Sequence, residues 1–226
     1  MAHNVQGAFE PRKTPVQARS AVTVEAIFGA TIQVLLSHGA DRLTTTRVAE
    51  RAGVSVGTLY QYYPNKQSLL FAVLEDHLGK VSAAVEVACE HGRHKPLAAM
   101  VKEVAEAFVD AKMERTDISL ALYQIAAEVD GPALVKRAGE RSRKALEAML
   151  RTAPEAVPQL DKFATQMMFS AMAGTTRSVL EAGASPAMVR KLREHLVLLC
   201  QSYMAALGKP RRYVEHAPIQ PHAATF

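Results

Sequence analysis

The sequence predicts an all-α chain in which a trio of helices within residues 21–63 is joined by a long fourth helix to a larger C-terminal helical domain. Three observations carry this. Apolar residues recur at the three- and four-residue spacing of a helix along almost the whole chain. No alternating run of apolar and polar residues is long enough for a sheet strand, and no internal repeat occurs. Gly, Pro, Ser, Thr and Asn fall where helices have to stop and start.

Val24, Ile27, Phe28, Thr31, Val34 and Leu35 form the stripe of the first helix, and Gly39 ends it. Thr44 is placed to cap a short second helix. Leu43 and Val48 make a hydrophobic staple across its first turn, and Gly53 closes it. Ser55 caps a third helix, whose Leu59 and Tyr63 face inward before Pro64 breaks it. Asn65 caps the long fourth helix, on which Leu70, Val73, Leu74, His77, Val81, Ala84 and Val85 keep one face. After Gly92, Pro96 opens a helix carrying Leu97, Met100, Val104, Phe108 and Ala111. Further helices are predicted over about 118–127, 132–151, 160–182 and 186–207. They are separated by Gly131–Pro132, by the two-proline loop 153–158, and by Gly183, Ser185 and Pro186, which supply a stop, a cap and a first-turn proline. The tail from Lys209, with Pro210, Pro218 and Pro221, is predicted to be extended or disordered.

Of 226 residues, 49% are hydrophobic and 22% charged, the balance of an ordinary globular protein. Two cysteines, Cys89 and Cys200, are too few for a disulfide-stapled scaffold and point to a reducing compartment. No leader peptide is expected, because Glu10, Arg12, Lys13 and Arg19 interrupt the first residues. No membrane span is expected either. The stretch read as most apolar, Phe163 to Thr176, is closed by Lys162 and Arg177 well short of the roughly 20 residues a bilayer requires. The formal charge of +5 is uneven: +3 over residues 1–66, zero over 67–208 and +2 over 209–226. A basic small module on a neutral large one suits a polyanion partner.

A short helix, a tight glycine turn and a second short helix are the layout of a helix-turn-helix. The second helix has to present its N-terminal end to a DNA major groove, so that end must be small. Here it reads Ser55-Val56-Gly57-Thr58. Gly57 costs about 1 kcal/mol relative to alanine inside a helix, but it lets the backbone approach a surface closely. Tyr60, Gln61 and Tyr62 follow at steps of about 100°, so they cannot all be buried. Beside Arg47, Arg51 and Lys66, phenol hydroxyls suit phosphate contacts. Tyr62 is read as a contact, Tyr60 as both packing and contact, and Tyr63 as core.

The run Thr44-Thr45-Thr46-Arg47-Val48-Ala49-Glu50-Arg51-Ala52-Gly53-Val54-Ser55-Val56-Gly57-Thr58-Leu59-Tyr60-Gln61-Tyr62-Tyr63-Pro64-Asn65-Lys66 resembles the DNA-binding signature of TetR-family transcriptional regulators. The close match covers residues 21–81, and the caps, turn glycine, Gly-Thr-Leu-Tyr and Asn-Lys all fall at the family's spacing. The resemblance implies an N-terminal helix-turn-helix domain (21–81) joined by a long helix to a C-terminal helical ligand-binding and dimerisation domain (82–208). A basic arm (1–20) precedes them and a flexible tail (209–226) follows. It implies a homodimer on double-stranded DNA, with Thr45, Thr46, Thr58, Tyr62 and Lys66 on phosphates and Arg47, Val56, Gly57 and Gln61 reading bases. Ser55 and Tyr60 complete the expected surface. The arm, with Arg12, Lys13 and Arg19, either lies on DNA or is an unstructured leader.

The methionines other than Met1 all lie between residues 100 and 204. Thioether side chains fill irregular space, and most are read as core. For the pocket that the resemblance implies, the candidate lining is Met100, Val104, Phe108, Tyr123, Met149, Gln166, Met167 and Phe169. This mostly apolar set favours an uncharged or weakly acidic hydrophobic effector. Dimerisation is assigned to Val189, Leu192, Leu196, Leu199 and Tyr203 on the last helix, with the small residues Ala171 and Gly174 on the helix before. His77 is read as a core histidine. Cys89, His91 and His94 lack a fourth ligand and an i, i+4 pair, so no metal is expected. Lys136, Arg137, Arg141, Arg143, Lys144 and Arg151, interleaved with Glu140 and Glu147, are read as a solvated helix face. With no glycine-rich nucleotide loop, nucleophile elbow or paired zinc histidines, neither an enzyme nor a cofactor is expected. The expectation is a ligand-responsive repressor in the bacterial cytoplasm, bound to a pseudo-palindromic operator on the nucleoid. A small helical enzyme and a helical adaptor are the alternatives.

Overall fold

The computed structural model describes residues 18–208 except 127 and 156. Among these residues there are nine helices and no strand: α1 Ala18–His38, α2 Thr45–Ala52, α3 Val56–Tyr62, α4 Lys66–Gly92, α5 Leu97–Met113, α6 Thr116–Ile125, α7 Gly131–Leu150, α8 Lys162–Glu181 and α9 Pro186–Leu207. The expected tail from Lys209, and Arg12 and Lys13 of the expected arm, lie outside the described residues.

Side-chain caps set most of the starts. Thr44, Ser55, Asn65, Asp161 and Ser185 each accept the backbone N–H three residues on, and Asn65 and Ser68 form a reciprocal capping box. The Asp161 cap places the start of α8 at Lys162, two residues later than the apolar pattern suggested. Between α8 and α9, Gly183 takes φ 94°, which a side chain would resist, and Ser185 caps the next helix. The helix α1 already runs at Ala18, inside the predicted arm, and no glycine or proline lies between Pro15 and Gly29 to interrupt its first turns.

Two apolar clusters organise the molecule. The first joins Ile27, Val34, Leu43, Val48, Leu59 and Leu70 of α1–α4 and their connections. It also takes in Leu122 and Ile125 of α6, Val129 of the following turn and Leu134 of α7. The second gathers Val85 of α4, Met100 and Val104 of α5, Met149 of α7, Met172 of α8 and Leu196 of α9. Residues of α6 therefore pack with the N-terminal helices, although they fall within 82–208. The turn leading to α7 is tight enough that a Cβ on Gly131 would strike the Ala126 carbonyl.

One expectation is corrected. Among the described residues the helical segment long and apolar enough to cross a membrane, by length and composition, is the 19-residue Ser20–His38, not Phe163–Thr176. In the fold its inward stripe, Ile27, Ala30, Thr31, Val34 and Leu35, is buried against the first cluster.

The clusters meet on α4 near His77, whose Nε2 lies 3.5 Å from Ser119 Oγ of α6. Burial pushes the imidazole down to about 4 from its ordinary 6.5, with Lys112 and Lys80 adding to the shift. Between those pH values the unfolded state binds the proton and the folded state does not, so this contribution is intact above pH 6.5 and is lost as pH falls towards 4. The loss is on the order of 3 kcal/mol. Urea titrations across this range should show wild type losing more stability than His77→Gln. Equal slopes would mean that His77 titrates normally.

Candidate nucleic-acid interface

The helix-turn-helix is locked from below and left open above. Val48 and Ala49 of α2 and Leu59 of α3 are fully buried, which fixes the two helices against α1. Between them Gly53 takes φ 69°, and Val54 N–H donates to the Ala49 carbonyl at 3.0 Å. Ser55 Oγ accepts from Thr58 N–H at 2.9 Å and lies 2.8 Å from the Thr58 hydroxyl. Thr45 Oγ1 and the Tyr60 hydroxyl, 3.0 Å apart, bridge the start of α2 to the middle of α3.

With Leu59 inward, Gly57, Tyr60 and Gln61 share the opposite side of α3, and all three are exposed. Thr46, Arg47 and Ser55 are exposed beside them, whereas Thr45, Val56, Thr58, Tyr62 and Lys66 are half-buried. Val56 and Tyr62 pack partly against the cluster, Tyr62 with its ring 6.3 Å from that of Tyr63. Tyr63 is buried, 5.9 Å from the Phe28 ring, and burial, with Tyr62 next, raises its phenol to about 12.

The cations are tethered. Arg47 donates to the Arg42 carbonyl at 2.7 Å and Arg51 to Gln33 Oε1 at 2.6 Å. Lys66 donates to the Ala40 carbonyl at 2.7 Å and lies 3.7 Å from the Glu128 carboxylate in the α6–α7 turn. The motif alone had no signal for this last tie, since Glu128 is 62 residues away in sequence. Gly57 has ordinary negative φ, and a Cβ there would meet only Ser55 Oγ, at 3.7 Å, so nothing inside the chain requires a glycine.

Elsewhere the structure sorts the sequence candidates by depth. Met100, Val104 and Met149 are completely buried in the second cluster, with Phe108 and Phe169 beside them. Tyr123 is half-buried, and Gln166 and Met167 are exposed. Two hollows stand out. One, of about 620 Å³ between α4 and α7, is lined by Glu86, Cys89, Arg93, Arg137, Arg141 and Lys144. The other, of about 650 Å³ where α1, α4, α5 and α6 meet, is lined by Ile32, Val73, His77, Val81, Ala107 and Ile118. None of the eight candidate pocket residues lines either hollow.

The candidate dimer residues split in two. Leu192 and Leu196 point into their own chain's core, while Val189 and Tyr203 are half-buried and Leu199 is exposed. Ala171 is half-buried and Gly174 exposed. The exposed apolar side chains on these helices are Phe163, at 70% exposure, with Met167, Leu198 and Leu199. On α9 the inward stripe continues through Cys200 and Met204, which leaves Leu198 and Leu199 outside. Cys89 is buried, with its thiol raised to about 12 by burial and nearby carboxylates, while His91 and His94 are exposed. Among the described residues no cluster of His, Cys, Asp and Glu could hold a metal. Arg143 departs from the solvated-face reading: it is buried and donates to Glu147 at 2.5 Å.

Residues 21–73 match the family model described as "Bacterial regulatory proteins, tetR family", and residues 96–204 match "Tetracyclin repressor-like, C-terminal domain". Among curated relatives, the transcriptional repressor KstR of Mycolicibacterium smegmatis is 36% identical over 66 residues, 29% of this chain and 32% of that protein. The fatty acid metabolism regulator protein of Bacillus subtilis is 28% identical over 60 residues, 26% of this chain and 31% of that protein. The matched segment thus spans about a third of the length of these relatives. Among solved structures, a TetR-family regulator of Mesorhizobium loti aligns with TM-score 0.67 and 18% identity, covering 84% of this chain and 98% of that one. The fatty acid degradation regulator FadR of Bacillus halodurans aligns with TM-score 0.63 and 17% identity, covering 82% and 96%. At these identities the likeness is one of fold. With its helix-turn-helix and its C-terminal helices each matched by a model of the same family, this chain belongs to the TetR family of bacterial regulatory proteins.

Proposed function

We propose that the protein is a homodimeric transcriptional repressor that binds a pseudo-palindromic DNA operator through α3 and is released by a hydrophobic small molecule. The observation that carries the DNA reading is Gly57. It sits exposed in a short helix with room for a Cβ, so its helix-weakening cost has no compensation inside the chain. Close approach of a phosphate backbone or a base edge supplies the reason. Gln61 and Tyr60 flank it on the same face, and the caps at Thr44 and Ser55 hold the two helix starts that approach the groove. Thr46, Arg47 and Thr58 complete that surface. Lys66 and Tyr62 act at its edge, and Thr45 by positioning Tyr60.

The exposed Phe163, Met167 and Gly174 with the half-buried Ala171 on α8, and Leu198 and Leu199 on α9, are the surface for a second copy. Two such pairs would form a four-helix interface and place two α3 helices on half-sites about 34 Å, or a multiple of it, apart. The large second cluster, joined to the DNA-binding unit by α4 and α6, supports a ligand-responsive role. Names referring to fatty acid regulation among the similar proteins agree with an apolar effector. Such a molecule has to bind the released conformation better than the DNA-bound one. The protein would act in the cytoplasm, on nucleoid DNA.

Gly57→Ala separates a binding role from a folding one. It should raise thermal stability, by up to about 1 kcal/mol, yet weaken binding to DNA selected from a random pool. Unchanged DNA affinity would remove Gly57 from the interface. Gln61→Ala should relax preference at one base position by about 1–3 kcal/mol, read from repeated site selection.

For the dimer, Phe163→Asp should give a folded monomer by light scattering with operator affinity sharply reduced. A dimeric Phe163→Asp would place the interface elsewhere. Leu196→Glu, by contrast, should unfold the chain, because Leu196 is core.

A further inference from the structure

Among the described residues two cations lie inside the C-terminal half, and one of them has no described counter-charge. Arg143 of α7 is 6% exposed and donates to Glu147, which also accepts from Thr165 Oγ1 of α8 at 3.0 Å. Lys112, in the last turn of α5, is equally buried, yet none of the described carboxylates pairs with it. Its ammonium nitrogen instead lies 4.8 Å from the centroid of the Tyr123 ring of α6. Burial lowers the lysine to about 8, so it remains mostly protonated at neutral pH. A ring face returns less than the burial of an unpaired ion costs.

The surroundings point the same way. The Tyr123 ring also carries Arg177 of α8, with its guanidinium carbon 5.1 Å from the centroid. Arg177 is exposed and held by Glu181 at 2.7 Å. Positive charge therefore runs inward along the ring, from a matched cation at the surface to an unmatched one inside. Next to Arg177, Thr176 is fully buried and its hydroxyl has no partner. Ser119 Oγ donates to the Lys112 backbone carbonyl at 2.8 Å and approaches His77, which is neutral at physiological pH and offers no counter-charge. Phe108, one turn before Lys112 on α5, is buried too.

We propose that Lys112 anchors a carboxylate that enters between α6 and α8 past Arg177, and that the effector is an apolar organic acid. The inference rests on the ligand-responsive reading above and narrows it from hydrophobic molecules in general to acids. A single ammonium among aromatic and aliphatic side chains suits a singly charged head on an apolar body, not a polyphosphate or a sugar. Binding there would act on α6, which packs against the helices that position α3.

Calorimetric titration of the purified full chain with hexanoate, decanoate and hexadecanoate, with the matching alcohols, and with decyltrimethylammonium tests the site without reference to DNA. The acids should bind about ten-fold or more tightly than the alcohols, and the cation should not compete. Lys112→Met, close in length and apolar, should lower acid affinity by about that factor, leave alcohol affinity unchanged and leave the melting temperature no lower than wild type. Lys112→Arg should keep the preference for the acid. Equal affinity for acid and alcohol, an acid preference that survives in Lys112→Met, or no binding by any of the acids would overturn the proposal. Release of a labelled DNA duplex from wild-type protein reports separately on regulation. An acid that binds through Lys112 but leaves DNA bound would overturn its role as effector and leave the carboxylate site standing, whereas release by the alcohols alone would keep the ligand-responsive reading and remove the acid.

Discussion

One helix belongs to two cores, and the geometry of the whole chain depends on it. The first turns of α4 bury Leu69, Leu70, Val73 and Leu74 among the DNA-binding helices, and its later turns bury Val81, Val85 and Cys89 in the C-terminal bundle. Its 27 residues make a rod about 40 Å long. The Asn65–Ser68 capping box fixes where that rod starts, immediately after the Tyr63–Pro64 corner that ends α3. A rigid element with apolar anchors in both clusters cannot tilt in one without moving in the other. This is the mechanical basis for any coupling between the two halves.

A second tie runs through α6. Leu122 and Ile125 pack in the DNA-binding cluster although the chain reaches them only after α5. The turn that follows is closed by Gly131 and carries Glu128, within ion-pairing distance of Lys66 at the start of α4. Lys66 also holds the Ala40 carbonyl in the loop between α1 and α2. The DNA-binding helices are thus gripped from α4 and from the α6–α7 turn, and the lysine that the motif places near phosphate is also the one that touches the second grip.

Interior polarity separates the two halves of the molecule. In the N-terminal unit the buried polar groups are caps or helix back-bonds with short, satisfied geometry, such as Ser68 with Asn65 and Thr31 with the Ile27 carbonyl. In the C-terminal bundle the Arg143–Glu147–Thr165 set is largely matched, with the Arg143 Nε left over, while the Thr176 hydroxyl lacks a hydrogen-bond partner and Lys112 faces the Tyr123 ring with no described carboxylate in ion-pairing range. Unmatched polar groups in a packed core cost stability and are not needed to specify a helical bundle that apolar residues already define. They are concentrated in the C-terminal half, outside the helices of the DNA-binding unit.

The sequence by itself determined what depends on neighbours along the chain. Helix starts at Thr44, Ser55, Asn65 and Ser185, stops at Gly53 and Gly183, and the inward positions of Leu59 and Tyr63 all follow from cap chemistry and a 3.6-residue period, which act over one or two turns. The same locality made the exposed face of α3 legible. What the tertiary structure decided are choices between two faces that the period leaves open. Leu196 and Leu199 both fit an apolar seam, yet only packing against α5 turns Leu196 inward and leaves Leu199 outside. Arg143 reads as one more surface charge until the crossing of α7 and α8 buries it beside Glu147. Periodicity states that a helix has a buried side. Which side, and whether a charge on it finds a partner, depends on helices that the chain brings together from tens of residues away.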